Sequence, residues 1–254
     1  MTIPEKSEFL AEECGIHFGD GYMKIRKDKW GTHYEYTIAS HTYDDLNYRI
    51  YVKDLMKRLY GLGMSYERNY GNNCQLSYTV KELVNFKLSA GMPLSPKNSL
   101  IIPEWIKENK KYCCAFLRGL FDTDGCLTFK SKNGNPHNYP IISVSSKNSE
   151  LIDQISLLLN KLSFTFTTFK KQGITPKGTA TIAWEIGISG RKNLENFIKL
   201  IGFNNFKHIS KYQIWKRFGF CPPNTKIEQR EKILSKQLDP YLLDKKIKNA
   251  CGQI

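Results

Sequence analysis

The sequence predicts an α+β fold built from two copies of one unit, each running α-β-β-α-β-β-α, and three observations predict it. A helix-patterned stretch that stops at Asp-Gly and passes directly into an alternating strand occurs twice, as EFLAEECGIHFGDG before YMKIRKD and as YCCAFLRGLFDTDG before CLTFK. The aspartates of those pairs, Asp20 and Asp124, are 104 residues apart. Further on, Leu83, Asn85, Phe86 and Gly91 recur as Leu194, Asn196, Phe197 and Gly202 at a constant offset of 111. Self-similarity at a fixed distance is what an internal duplication leaves behind, here with short insertions.

The first helix spans 7–19, with Phe9, Leu10, Ile16 and Phe18 as apolar contacts and Gly15 and Gly19 four apart. Met23 and Ile25 then alternate with Tyr22, Lys24 and Arg26, the period of a strand with two different faces. A second strand covers 33–40, and helical spacing runs from Tyr43 to Leu62 through Leu46, Ile50, Leu55 and Leu59. MSYERNY and CQLSYTV form a strand pair turning at Gly71-Asn72-Asn73, followed by a helix at KELVNFKLSAG. The Pro-bearing segment 92–103 reads as a linker, and Pro103 suits the first turn of a helix at EWIKEN.

In the second half Leu117, Leu120 and Phe121 make one helical face, with the small residues Gly119 and Thr123 four apart. Strands at 126–132 and 140–146 flank a polar loop, NGNPHNY, and a helix spans 148–162 with Asn148 or Ser149 as its cap. FTFTTFKK and ATIAWEIGIS pair across QGITPKGT, and RKNLENFIKLIG closes the copy. This places one repeat in 1–100, the other in 101–220 and an extension in 221–254. The remainder, HISKYQIWKRFGFCPPNTKIEQREKILS, offers two short helices separated by Pro222-Pro223, and the Lys-rich tail beyond Leu238 reads as loosely held.

Across 254 residues Lys and Arg number 38 against 24 Asp and Glu, a net charge of +14. With 41% hydrophobic and 13% aromatic residues the chain is globular, so it is not a disordered basic tail. A folded basic protein binds polyanions, nucleic acid first among them; the alternative is a Lys-rich surface that only reflects biased composition. Seven cysteines are present without a CxxC pair, which suggests neither a zinc site nor a disulfide framework. The beginning, MTIPEKSEF, has no secretion signal and no apolar run reaches membrane-spanning length. The expectation is an intracellular protein, in the cytoplasm of a prokaryote or in an organelle, with no membrane partner.

Asp122 and Asp124 lie at the C-terminal end of their helix, where the macrodipole is already negative. That arrangement costs stability unless a cation arrives. A lone Asp-Gly is ordinarily a turn, but two of them, each ending a helix with small residues on its packing face, point to a shared metal. The glycines that follow the two aspartates, Gly21 and Gly125, would bring backbone beside such a metal. Side chains an even number of positions beyond each aspartate share a face. They are Tyr22, Lys24, Arg26 and Asp28 in one half, and Cys126, Thr128, Lys130 and Lys132 in the other. Arg68, Asn69, Gln75 and Ser77, and later Lys170, Lys171 and Glu185, are second-line candidates for nucleic-acid contact; an ordinary solvated strand face is the alternative for both sets. His17 reads as a packing residue, and Trp105, Trp184 and Trp215 as core or interface anchors.

LRGLFDTDG at 117–125 resembles the LAGLIDADG signature of homing endonucleases, and ECGIHFGDG at 13–21 resembles it more weakly. In the second copy Leu117, Gly119, Leu120, Asp122, Asp124 and Gly125 match; in the first, Gly15, Asp20 and Gly21 match while Glu13, His17 and Phe18 depart. The resemblance covers roughly 7–220 and is to the single-chain, two-repeat form. It implies that the signature helices pack side by side at the repeat interface beneath a saddle-shaped DNA-binding surface. It implies that Asp20 and Asp124 share divalent ions, Mg2+ or Mn2+, with two scissile phosphates, and that Asp122 serves the helix end. It further implies a lysine near each centre, for which Lys97 and Lys207 are the candidates. The expected function is a monomeric, site-specific double-strand DNA homing endonuclease acting in intron homing. The alternative is a non-enzymatic binder, either an intron RNA maturase or a catalytically decayed endonuclease. An intein fits poorly, because neither a splicing nucleophile at the start nor a terminal His-Asn is present.

Overall fold

The structure is a computed structural model, and it describes residues 1–174, 178 and 180–243. Its elements in chain order are α1 (Glu8–Phe18), β1 (Gly21–Asp28), β2 (Gly31–His41), α2 (Leu46–Tyr60), β3 (Tyr66–Tyr70), β4 (Asn73–Tyr78) and α3 (Lys81–Ser89). A short α4 (Glu104–Glu108) leads into α5 (Lys110–Thr123), β5 (Gly125–Lys132), β6 (Asn135–Ser146), α6 (Ser149–Lys161), β7 (Thr167–Ile174), β8 (Ala180–Ser189) and α7 (Arg191–Leu200). Then come α8 (Phe206–Phe218), α9 (Ile227–Leu234) and a 3-10 turn at Pro240–Leu242. The predicted order is reproduced twice. Both sheets are antiparallel with matching strand orders, β1-β2-β4-β3 and β5-β6-β8-β7.

The two signature helices pack against each other at the distance their small residues allow. A Cβ added at Gly15 would lie 2.1 Å from the Phe116 carbonyl oxygen, and one at Gly119 would lie 2.1 Å from that of Glu12. Any side chain there would force α1 and α5 apart. Side chains from Leu10 to Phe18 are buried, so α1 is a core helix rather than an amphipathic one. Phe18 stacks edge-on against Phe116 with ring centroids 5.2 Å apart. Buried polar groups tie the packing together: Glu12 accepts from Tyr51 Oη (2.6 Å), Arg118 Nε (3.0 Å) and Asn204 Nδ2 (2.7 Å). The fully buried ammonium of Lys87 pairs with Glu13, which also accepts from Tyr36 and Tyr60.

Several expectations are corrected. The segment 92–103 is not a loose linker, because Met92, Leu100 and Ile102 are core residues. Gln154 of α6 bonds both the Ile102 amide (2.8 Å) and the Leu100 carbonyl (2.9 Å), and Ser95 N donates to Met23 O (2.8 Å). Helix α2 starts at Leu46, not Tyr43, and Leu46 and Ile50 are exposed. Its buried face includes Tyr48, Val52, Leu55, Met56, Leu59 and Tyr60; the pattern drawn through the leucines found Leu55 and Leu59 and missed the other four. Strand β6 begins at Asn135, inside the expected loop. Its hairpin is held by α8 and the residues after it, through Trp215 Nε1 to Asn138 O (2.9 Å) and Cys221 N to His137 O (3.0 Å). The start of the tail is packed, with Pro240 buried and Tyr241 against Phe220 at 4.9 Å; residues 244–254, Cys251 among them, lie outside the described residues. The other six cysteines are free thiols. Among the described residues no helix is long and apolar enough to cross a membrane.

Candidate metal centre and nucleic-acid face

The chain leaves each signature helix through a turn that only glycine fits. A Cβ at Gly21 would stand 2.7 Å from His17 O, and one at Gly125 2.3 Å from Phe121 O, so both strands start back over their own helix ends. The aspartates therefore sit at the C-termini of α1 and α5, side by side. A Cβ at Gly19 would meet Thr123 Oγ1 at 2.1 Å and Asp124 Cγ at 3.4 Å. Asp20 is half-buried and Asp124 reaches solvent. Protein crowds both carboxyls: burial first, then the adjacent Asp124 and Asp45, push Asp20 up to about 7, while Lys207 and Lys97 pull the other way. Burial also raises Asp124, against the same two lysines.

Both predicted lysines come to the helix ends, and they are held differently. Lys97 Nζ donates to the carbonyls of His17 (2.9 Å), Phe18 (2.9 Å) and Gly19 (2.7 Å), closing the end of α1. Lys207 Nζ donates to Thr123 O (3.3 Å) at the end of α5 and lies 3.4 Å from the Asp45 carboxylate. Asp122 is buried and points away from the centre. It accepts from the backbone amides of Asn204 (2.8 Å) and Asn205 (3.1 Å), fixing the turn that opens α8, although burial pushes its carboxyl up to about 8. Its counterpart Phe18 does no such work, so Asp122 is a structural acid. His17 is buried, with Nε2 on Pro93 O (2.9 Å) and its pKa lowered by burial, which suits packing and not proton transfer.

Comparison with known proteins bears on this arrangement. Residues 111–202, which contain α5 and its strand, match the LAGLIDADG-like domain. This chain carries a LAGLIDADG-like domain. Its fold is that of two-repeat LAGLIDADG homing endonucleases. I-DmoI in complex with DNA and Mn superposes with a TM-score of 0.54 at 20% identity, covering 77% of this chain and 96% of that one. A set of mesophilic I-DmoI variants gives 0.55 at 18% identity, covering 77% and 95%. The meganuclease I-SmaMI bound to uncleaveable DNA gives 0.53 at 10% identity, covering 85% and 90%. I-DmoI has also been solved with DNA and Ca, and a variant of it with Mg. The probable translation initiation factor IF-2 of Thermococcus kodakarensis is 32% identical over 95 residues, which is 37% of this chain and only 7% of that protein.

Around α1 and α5, strand register decides which candidate side chains share the aspartates' face. In the first sheet Tyr22, Lys24 and Arg26 lie opposite Thr37, Glu35 and His33, and the row continues through Ser77 and Gln75 to Tyr66 and Arg68. Gln75, Arg68 and Ser77 thus share that face. Asn69 is not: it pairs with Cys74, among the residues that face the helices. In the second sheet Cys126, Thr128 and Lys130 share a face with Ser143, Tyr139, Glu185 and Lys171. Lys132, past a register shift, places its ammonium 3.9 Å over the Tyr139 ring. Lys170 takes the other face, over Trp184 at 5.5 Å. Opposite faces are apolar as expected at Met23, Leu127 and Phe129; Ile25, near the open end of β1, is exposed instead. Asp28 is engaged at the hairpin tip with Arg26 (3.3 Å) and His33 (3.1 Å). Sequence reasoning missed Asp45 and Asn205 entirely, because each reads locally as a helix cap and their meeting spans 160 residues.

Proposed function

We propose that the protein is a site-specific DNA endonuclease that hydrolyses both strands of a long duplex target with a divalent metal, Mg2+ or Mn2+. The observation that carries the reading is the pair of carboxylates at the abutting C-termini of α1 and α5, flanked by basic strand faces. Among the described residues neither Asp20 nor Asp124 forms an ion pair, and no cluster of three or more His, Cys, Asp and Glu is arranged around a metal. Two carboxylates offer oxygen donors only, which suits a hard divalent cation completed by water and phosphate oxygens. Burial first, and then the neighbouring Asp124 and Asp45 carboxylates, lift Asp20 to about 7, and a bound cation would offset both by stabilising the ionised form. A metal bound there would supply an activated water and stabilise the attacking and leaving oxygens. Asp20 and Asp124 would hold it, Gly21 and Gly125 would bring backbone close, and Lys207 would offer positive charge to the phosphate.

Around this centre, Tyr22, Lys24, Arg26, Arg68 and Gln75 would contact one half-site, and Thr128, Lys130 and Lys132 the other, through phosphates and base edges. Two repeats in one chain give each strand its own half-centre, which makes a monomer sufficient. Lys97, closed around three carbonyls, supports the helix end and the local charge balance. The test is cleavage of duplex DNA in Mg2+, using the DNA flanking the gene rejoined across it. Wild-type protein should cut both strands, and Asp20→Asn or Asp124→Asn should slow cutting by at least about a hundredfold while still binding the duplex. Cutting at the normal rate by both single variants would discard the assignment. Binding without cutting by the wild type would favour the non-enzymatic alternative, including intron RNA as partner.

A further inference from the structure

We propose that Asp45, a residue of the first repeat, is a positioning residue for Lys207 of the second, so that the two half-centres are not equivalent. The proposal rests on the endonuclease reading above. Asp45 occupies the N-cap of α2, where an aspartate ordinarily accepts from the amides of its own first turn. It makes no such bond. The corresponding helix of the second repeat, α6, is capped in the ordinary way, Asn148 accepting from Leu151 N at 2.9 Å. Asp45 instead turns across the repeats. Its Oδ1 accepts from Asn205 Nδ2 at 2.7 Å and lies 3.4 Å from Lys207 Nζ, while Oδ2 accepts from His41 N at 2.8 Å.

The Asp45 side chain is 7% exposed, and Lys207 is the cation paired with it. A buried carboxylate is costly without a counter-charge, so the pair is bound to stay together. Asn205 ties the unit further: Nδ2 also donates to Asp122 O (3.0 Å), and Oδ1 accepts from Lys207 N (3.0 Å). From the C-terminal side, the buried Arg230 donates to Lys207 O at 3.1 Å. An ammonium has three N–H donors. Lys97 commits all three to α1 carbonyls, whereas Lys207 spends one on α5, directs one toward Asp45 and keeps one to offer. Asp45 thereby sets where that remaining donor points, on one side of the centre only.

Asp45→Asn removes the charge and keeps an acceptor oxygen for the amides. With each strand of a duplex target labelled, D45N should change the ratio of the two strand-cleavage rates roughly tenfold and accumulate nicked product, with duplex affinity unchanged. D45N combined with Lys207→Met should be no slower than K207M alone, since one residue acts through the other. Equal slowing of both strands, or additive losses, would overturn the proposal. A measurement without DNA separates it from the endonuclease reading. Acylation of the DNA-free protein by acetic anhydride, read by peptide mass spectrometry, should modify Lys207 severalfold faster in D45N and leave Lys97 unchanged. Unaltered Lys207 labelling would sink the positioning role whether or not the protein cuts. If D45N folds poorly, Asp45→Ser, which keeps a hydroxyl at the N-cap, serves the same comparison.

Discussion

Asp20 is the residue whose protonation matters most. Its carboxyl is raised from 3.8 to about 7, so in the metal-free fold it holds a proton at pH values where the unfolded chain has lost it. More protons on the folded state mean that stability falls as pH rises from about 4 to about 7. In EDTA, the gain in melting temperature of Asp20→Asn over wild type should therefore grow across that interval and level off above it. Metal must displace the same proton, so apparent Mg2+ affinity should weaken below pH 7 by up to about tenfold per pH unit and stay flat above. Isothermal titration at pH 6 and pH 8 checks this. An affinity indifferent to pH over that range would mean that Asp20 does not bind the metal.

At the scale of elements, the decisive contact is α1 on α5. Both glycines at the crossing face backbone, not a flexible side chain that could move aside. A Cβ at Gly119 would lie 2.1 Å from the Glu12 carbonyl oxygen, so Gly119→Ala must push the helix backbones apart, and overpacking of this kind costs about 1–3 kcal/mol. Because the aspartates ride on those helix ends, G119A should lower the melting temperature and reduce cleavage more than DNA affinity. Equal loss of both would place the effect in the sheets instead. The 92–103 segment carries a related lesson. Its prolines read as a spacer, yet its buried side chains and bonds to Met23 and Gln154 make it a brace between the halves.

For the whole molecule, charge and shape together set how DNA would be held. A net charge of +14 predicts binding that weakens steeply with salt. Of the basic residues, register places Lys24, Arg26, Arg68, Lys130 and Lys171 on the two faces that continue from the aspartates. Replacing Lys24 by Ala should lower the slope of log K against log salt by about 1 if that ammonium meets a phosphate. Lys170→Ala, on the opposite face over Trp184, should leave the slope unchanged. Equal slopes for both variants would mean that the sheet face does not line the DNA.

By itself, the sequence determined the duplication, the order of elements, the two Asp-Gly helix ends and the small residues that let those helices meet. All of these are local patterns or repeats of local patterns, and periodicity with glycine sterics is enough to read them. Strand alternation also placed Tyr22, Lys24 and Thr128 correctly, since a period of two needs no knowledge of the partner strand. Only the tertiary structure decided that Lys97 is spent wholly on carbonyls while Lys207 is not, that Asp122 opens α8, and that Asn69 and Lys170 lie on the sheet faces opposite the aspartates'. It alone brought Asp45 to Asn205 and Lys207. Those outcomes depend on which distant groups a buried charge or amide finds when the two repeats close on each other, and no local pattern encodes that meeting.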